Sequence, residues 1–185
     1  KLPVSGRTVE LYGPGPGPPG DENEGILRNA VGLRHALGLL VESSGQQGAQ
    51  RRAAVHKETM NEVLEFFGNR SGEIVTAVTA APGAKEAIGR DRSEPFYLFG
   101  ADDNPSTPDQ ILNPPPCAYV LSTDQVTTLQ PQLTLLGLQT EQDGSDVLLH
   151  MGQPMMTVVP LLVDAGARGP RVAGVPRVSE AECGA

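Results

Sequence analysis

The chain has 185 residues, of which 38% are hydrophobic and 4% aromatic, and tryptophan is absent, so we expect a modest core. The 22 glycines and 17 prolines exceed average usage and predict a large share of loop. Because the formal net charge is -8 and no basic cluster is longer than Arg51-Arg52, nucleic acid and anionic membranes are poor partners on electrostatic grounds. The longest apolar runs, ALGLLV and TVVPLLV, are far shorter than the ~20 residues that span a bilayer, and no signal peptide pattern opens the chain, so we expect it to be soluble.

The N-terminal part is predicted to contain a short strand, a loop, and a helix that leads into a buried strand. Residues 7–12, RTVELY, have a strand pattern, whereas residues 13–25, GPGPGPPGDENEG, favour a loop because proline lacks an N–H donor. From residue 26 to about residue 35, apolar residues recur at helical spacing. The following LGLLV, residues 37–41, is short and wholly apolar, which is typical of a strand covered on both faces in a parallel α/β sheet.

The strongest helical pattern lies at residues 49–67. Its apolar face comprises Val55, Met60, Val63, Leu64 and Phe67. Residues 71–88 are rich in alanine and threonine and predict a weaker helix, interrupted at Pro82-Gly83.

The C-terminal part predicts a small βαββ unit after a proline-rich segment. CAYVL and the pair LQTEQ and DVLLH, joined through DG, are strand patterns. Between them, STDQVTTLQPQLTLLG predicts a helix with Ser122 as N-cap and Gly137 as its stop, and TVVPLLVD forms a last apolar element. We therefore divide the chain into residues 1–95, a proline-rich connector at 96–116, a βαββ extension at 117–165 and a flexible tail at 166–185.

No motif of this chain has the spacing of a complete metal or phosphate site. The three histidines, His35, His56 and His150, show neither an HxxE nor an HExxH pattern. The prolines of GPGPGPPG remove the N–H groups that a phosphate cradle needs. A zinc site built from this chain alone is therefore not expected.

Two cysteines, Cys117 and Cys183, leave two readings open, a bridge between them or two separate thiols. The stretch FGADDNPSTPDQIL before Cys117 resembles the approach to the reactive thiol of organic-hydroperoxide and osmotically induced peroxidases, which implies Cys117 as a nucleophile and Cys183 as the second thiol. That family carries its first cysteine in a helix, however, and NPPPC forbids a helix immediately before Cys117. We therefore favour a buried structural cysteine.

Glu42 follows the predicted buried strand directly. One interpretation is a carboxylate that faces solvent at a strand end. The other is functional, because open α/β sheets bind ligands outside the carboxyl ends of their strands, where partial desolvation suits a general base. Composition and spacing leave both interpretations open.

The stretch GILRNAVGLRHALGLLVES resembles the end of the catalytic domain of the zinc carboxypeptidases, the carboxypeptidase A-like metallopeptidases. In that family a helix leads into an apolar strand that ends in the general-base glutamate, so the resemblance implies Glu42 as the catalytic base. The segments PPPCAYVL, STDQVTTL, VLLHMGQP and VVPLLVD resemble the C-terminal extension of bacterial members. The implied fold class is α/β, the C-terminal part of a three-layer mixed-sheet carboxypeptidase-like fold followed by a small α+β appendage.

The same resemblance implies zinc as cofactor, a peptide or protein substrate and a secreted bacterial protein. The family holds zinc with an HxxE pair and a later histidine, and neither occurs in this chain. We therefore expect the zinc ligands to precede Lys1 and these 185 residues alone to be inactive. Two other hypotheses stay open: a non-catalytic interaction module whose proline-rich loops contact a partner, and a thiol peroxidase that uses Cys117.

Overall fold

A computed structural model describes residues 2–4, 7–9, 27–43, 45–98, 108–167 and 172–184. The helices are α1 Leu27–Leu33, α2 Ala49–Asn69, α3 Ser71–Asp91, α4 Thr123–Leu136, α5 Val159–Val163 and α6 Glu180–Cys183. The strands are β1 Leu2–Val4, β2 Arg7–Val9, β3 Phe96–Tyr97, β4 Ile111–Leu112, β5 Ala118–Leu121, β6 Glu141–Asp143, β7 Asp146–His150 and β8 Val175–Arg177. The chain is therefore a mixed α/β protein, as predicted at that level, although every strand pair among the described residues is antiparallel.

The main sheet has four strands in the order β6-β7-β5-β8. Its β6–β7 hairpin is the strand pair predicted around the DG dipeptide, and Gly144, at φ 61°, supplies the positive φ that tight hairpin turns need. The guanidinium of Arg177 on β8 lies 2.6 Å from the carboxylate of Asp143 on β6, although these strands are opposite edges of the sheet. In a flat sheet three spacings of ~4.8 Å would separate the two backbones, so the long Arg177 side chain and the twist of the sheet together bring the two charges into contact.

The core lies between this sheet, α4 and the segment that contains α5. Tyr119 pairs with Leu149 across β5 and β7, and Leu121 pairs with Val147, which places these side chains on one face of the sheet. Fully buried hydrophobic side chains of the core are Tyr119, Leu121, Leu129, Leu149, Met151, Val159 and Val163. A 3-10 turn at Met156–Val158 leads into α5 and completes the core.

Helix α4 begins and ends where the sequence predicts. The Ser122 side chain accepts a hydrogen bond from the Gln125 N–H, while the Gln125 side chain accepts one from the Ser122 N–H, so the two form a capping box. At the other end Gly137 has φ 66°, and its N–H donates to carbonyls of the last turn. Pro131 lies inside the helix without ending it.

The first helices attach to the core near Met151 and Met156. Gly89 of α3 is buried, and a Cβ at this position would lie 2.7 Å from the Met151 carbonyl carbon and 2.8 Å from Met156 Cγ. The Thr157 hydroxyl donates to the Leu33 carbonyl at the end of α1, at 2.9 Å. Only a residue without a side chain permits the close approach at Gly89, so α3 is held tightly at its C-terminal end.

The predicted buried strand at residues 37–41 is wrong. Residues 39–43 have no regular secondary structure, and Leu37, Leu39, Leu40 and Val41 are between 38% and 62% exposed. Apolar character alone does not make a strand, because a strand also needs a neighbour that pairs with its N–H and C=O groups. No described strand pairs with this segment.

Three further expectations differ from the structure in part. Helix α3 runs through Pro82 rather than stopping there, because its C-terminal end packs on the core. The predicted connector contains the β3–β4 pair, and the predicted tail contains β8 and α6. The division into four segments otherwise stays a prediction, and the predicted loop at residues 13–25 lies outside the described residues.

Candidate functional site

Glu42 lies on an exposed segment without regular structure, between α1 and α2. Its neighbours Leu40 and Val41 are 47% and 38% exposed, so they do not enclose the carboxylate in an apolar cleft. The adjacent Ser43 hydroxyl lies 3.1 Å from His56 Nε2 on α2. The arrangement that motivated the general-base interpretation, an acid at the end of a buried strand, is absent from the described residues, while the catalytic role of Glu42 itself stays a prediction.

The described parts of the chain contain no group of three or more His, Cys, Asp or Glu side chains that could hold a metal ion. The three histidines lie apart. His35 Nε2 is 2.6 Å from the Pro154 carbonyl, and His150 Nε2 is 2.9 Å from a Glu141 carboxylate oxygen. The described donors therefore do not fit zinc, and the ligands expected before Lys1 stay a prediction.

Cys117 and Cys183 form a disulfide, which decides between the two readings of these residues. Their Cα atoms are 5.8 Å apart, within the ordinary range for a bridge. The bond joins the residue before β5 to the last residue of α6, and both cysteines are partly exposed rather than buried. The sequence alone does not decide for this pairing, because the two cysteines are 66 positions apart.

Arg92 is held against this disulfide by two backbone carbonyls. Its Nε donates to the Pro115 carbonyl and its Nη2 to the Val178 carbonyl, each at 2.7 Å. Its Nη1 lies 3.5 Å from Cys183 Sγ. Arg92 also has φ 52° at the C-terminal end of α3, an uncommon conformation for a residue with a side chain.

Another buried polar pair lies in the core. The Tyr119 hydroxyl donates to Asp164 Oδ2 at 2.6 Å, and Asp164 Oδ1 accepts from the Gly166 N–H at 2.8 Å. Burial, and then the Asp164 carboxylate, raise the pKa of Tyr119 far above its ordinary value. The phenol is therefore a permanent hydrogen-bond donor, and we assign this pair a structural role.

Helix α2 leaves part of its predicted apolar face exposed to solvent. None of its 21 residues, all of which are described, is buried. Met60 and Leu64 are 59% and 63% exposed. We call these two side chains the α2 stripe.

No protein-family model, curated protein or solved structure matches this chain. Across the described ranges, no helix combines the length and apolar character that crossing a membrane would take.

Proposed function

We propose that this chain is a non-catalytic interaction module that binds another protein through α2. The observation that carries the proposal is the exposure of the α2 stripe on a helix without a buried residue. Helices in proteins owe most of their stability to packing of an apolar face. A 21-residue helix that leaves two large apolar side chains in solvent is therefore suited to packing against a partner.

The charges around the α2 stripe indicate the chemistry of that partner. At 100° per residue, Lys57 and Arg52 fall within about 80° of Met60, one on each side of the stripe. The acids Glu58, Glu62 and Glu65 fall about 140–200° from Met60, on the opposite side of the helix. The stripe thus has basic flanks, which favour an amphipathic partner helix with acidic flanks.

A second copy of this chain fits the same surface less well. Two α2 stripes in contact would bring two sets of basic flanks together, and like charges at an interface oppose association. In the proline-rich connector Pro115 and Pro116 are buried. Contact of the loop at residues 13–25 with a partner stays a prediction, because that loop lies outside the described residues.

The proposal is tested with two designed helical peptides that share a leucine stripe and differ only in flanks of glutamate or lysine. Fluorescence anisotropy should show tighter binding of the glutamate peptide, weakening as salt is raised. The double variant Met60→Glu/Leu64→Glu should weaken binding at least about tenfold, since burying one such side chain contributes ~1.5–3 kcal/mol. The control Glu62→Gln, on the opposite side of α2, should leave the affinity unchanged.

Equal binding of both peptides, or equal losses in the double variant and the control, would contradict the proposal. Circular dichroism must show that the double variant retains its helices. Sedimentation should find a monomer, and a dimer abolished by Met60→Glu would reassign the stripe to a second copy.

A second candidate function is the C-terminal portion of a zinc carboxypeptidase, with residues 1–95 completing a three-layer mixed-sheet domain. The likeness of LGLLVES to the base segment of that family favours it, and the exposed position of Glu42 leaves the carboxylate accessible. Glu42 would be the general base, and zinc would depend on residues outside this chain. In a protein that carries them, Glu42→Gln should lower turnover by orders of magnitude with zinc content unchanged, whereas Glu65→Gln should not.

The disulfide supports the proposal that the protein is secreted. Disulfides persist in oxidising compartments and are rare in reducing ones. Mass spectrometry of the protein from its native source, alkylated at harvest, should find Cys117 and Cys183 protected as the disulfide. Alkylation of both thiols would place the protein in a reducing compartment instead.

A further inference from the structure

We infer that Cys117, Cys183 and Arg92 form a thiol–disulfide exchange site, in which Cys183 is the leaving thiolate. The reactant is a low-molecular-weight thiol of the glutathione class. Because the site includes neither α2 nor Glu42, its test and the test of the proposed function can fail independently of each other.

Access is the first requirement, and the structure meets it. Both cysteines are partly exposed, and the α6 helix that carries Cys183 has only four residues. Disulfides that serve only as structural links are commonly buried and resist reduction, whereas exposed ones are more labile. A thiol can therefore approach this bond without unfolding the core.

The second requirement is that one particular sulfur leaves, because thiol exchange is fastest when the departing sulfur is stabilised as a thiolate. Arg92 Nη1 lies 3.5 Å from Cys183 Sγ, and its other two donors are held by the Pro115 and Val178 carbonyls. The positive charge therefore stays beside one particular sulfur. A nearby guanidinium lowers the pKa of a cysteine thiol, so Cys183 is the better leaving group.

The Arg177 carbonyl oxygen lies close to both sulfurs. It accepts the Cys117 N–H at 2.9 Å and lies 3.5 Å from Cys117 Sγ and 3.6 Å from Cys183 Sγ. A carbonyl oxygen accepts a hydrogen bond from a thiol and opposes a thiolate at either position. The preference for Cys183 as the thiolate therefore rests on Arg92, whose guanidinium lies beside that sulfur.

The exchange proceeds in two steps. The thiolate of the reactant attacks Cys117 Sγ, a new sulfur–sulfur bond forms there, and the bond to Cys183 Sγ breaks. Its electron pair stays on Cys183 as a thiolate beside Arg92. A second reactant thiolate can then attack the sulfur of the first, which releases the oxidised small disulfide and leaves Cys117, after protonation, as a thiol.

The experiment exposes the folded protein to glutathione, quenches with iodoacetamide and maps the products by mass spectrometry. We expect glutathione on Cys117 and the alkyl group on Cys183, in at least about tenfold excess over the reverse pattern. Arg92→Gln should remove this preference and slow the exchange, and Arg92→Lys should retain part of both. The control Arg90→Gln, whose side chain pairs with Glu86 and Asp91, should react as the unaltered protein does.

A second measurement reports the thiolate directly. In a Cys117→Ser variant, the pH dependence of alkylation should give Cys183 a pKa below the ordinary ~8.5 of a free thiol. Adding Arg92→Gln should raise that pKa. Equal labelling of the two cysteines in the unaltered protein, or an ordinary Cys183 pKa, would overturn the assignment even if the Arg92 variants do not fold.

Discussion

The disulfide should account for a large part of the resistance of the C-terminal fold to unfolding. The double variant Cys117→Ser/Cys183→Ser removes the bond without leaving a reactive thiol. The two cysteines are separated by 66 positions, and in the chain-entropy account a closed loop of this size destabilises the unfolded state by about 4 kcal/mol at 25 °C. We expect the free energy of unfolding to fall by roughly that amount.

The folded state offers no equivalent replacement for the bond. Strand β8 has three residues paired with β5, and Arg92 Nη2 donates to the Val178 carbonyl just before α6. The C-terminal segment can therefore stay in place, but through few contacts. The loss should therefore come mainly from the greater freedom of the unfolded chain.

The assay is urea unfolding followed by far-ultraviolet circular dichroism, with the near-ultraviolet signal of buried Tyr119 as a second probe. Reducing the unaltered protein should lower its midpoint to that of the double variant, which is the matched control. A difference in stability below about 1 kcal/mol would refute the reasoning, because the loop would then be constrained in the unfolded state by other means.

Four further perturbations follow from individual contacts. Gly89→Ala should destabilise the protein by ~1–3 kcal/mol in urea unfolding, because the added carbon has no space beside the chain that follows β7. Tyr119→Phe should cost about 1–3 kcal/mol by leaving a buried Asp164 oxygen without its donor, and a double-mutant cycle with Asp164→Asn should show strong coupling. Ser122→Ala should cost ~1 kcal/mol through the lost cap, measured as a lower melting temperature. The Ser179 hydroxyl and backbone N–H lower the pKa of Glu182. The stability that Glu182 gives to α6 is therefore present above the unfolded-state pKa and is lost as pH falls through the folded-state pKa. NMR titration of the helix amides should record this loss.

The sequence predicts the C-terminal fold well because its signals are local. Ser122 and Gln125 satisfy each other's backbone N–H groups within one turn of α4, and Gly137 ends the helix through its own backbone conformation. The β6–β7 hairpin likewise depends on a turn that two adjacent residues determine. Each of these interactions spans only a few positions, so a short pattern contains the whole cause.

The errors arise where a distant neighbour decides the outcome. LGLLV has the composition of a buried strand, but no described strand pairs with it. The position of Arg92 beside Cys183 depends on Pro115 and Val178, residues far along the chain, and no spacing rule connects them. The exposure of the α2 stripe has the same origin, because periodicity identifies an apolar face but not whether another surface covers it.

The edge strands of the main sheet also bear on how the protein avoids polymerising. An exposed sheet edge is a template for pairing with other chains, and this sheet has two, β6 and β8. Strand β6 consists of Glu141, Gln142 and Asp143, and the middle residue of β8 is Pro176, which cannot donate a backbone hydrogen bond. The Arg177–Asp143 ion pair also engages one side chain from each edge strand. The main sheet is therefore a poor template for the growth of β-rich fibres.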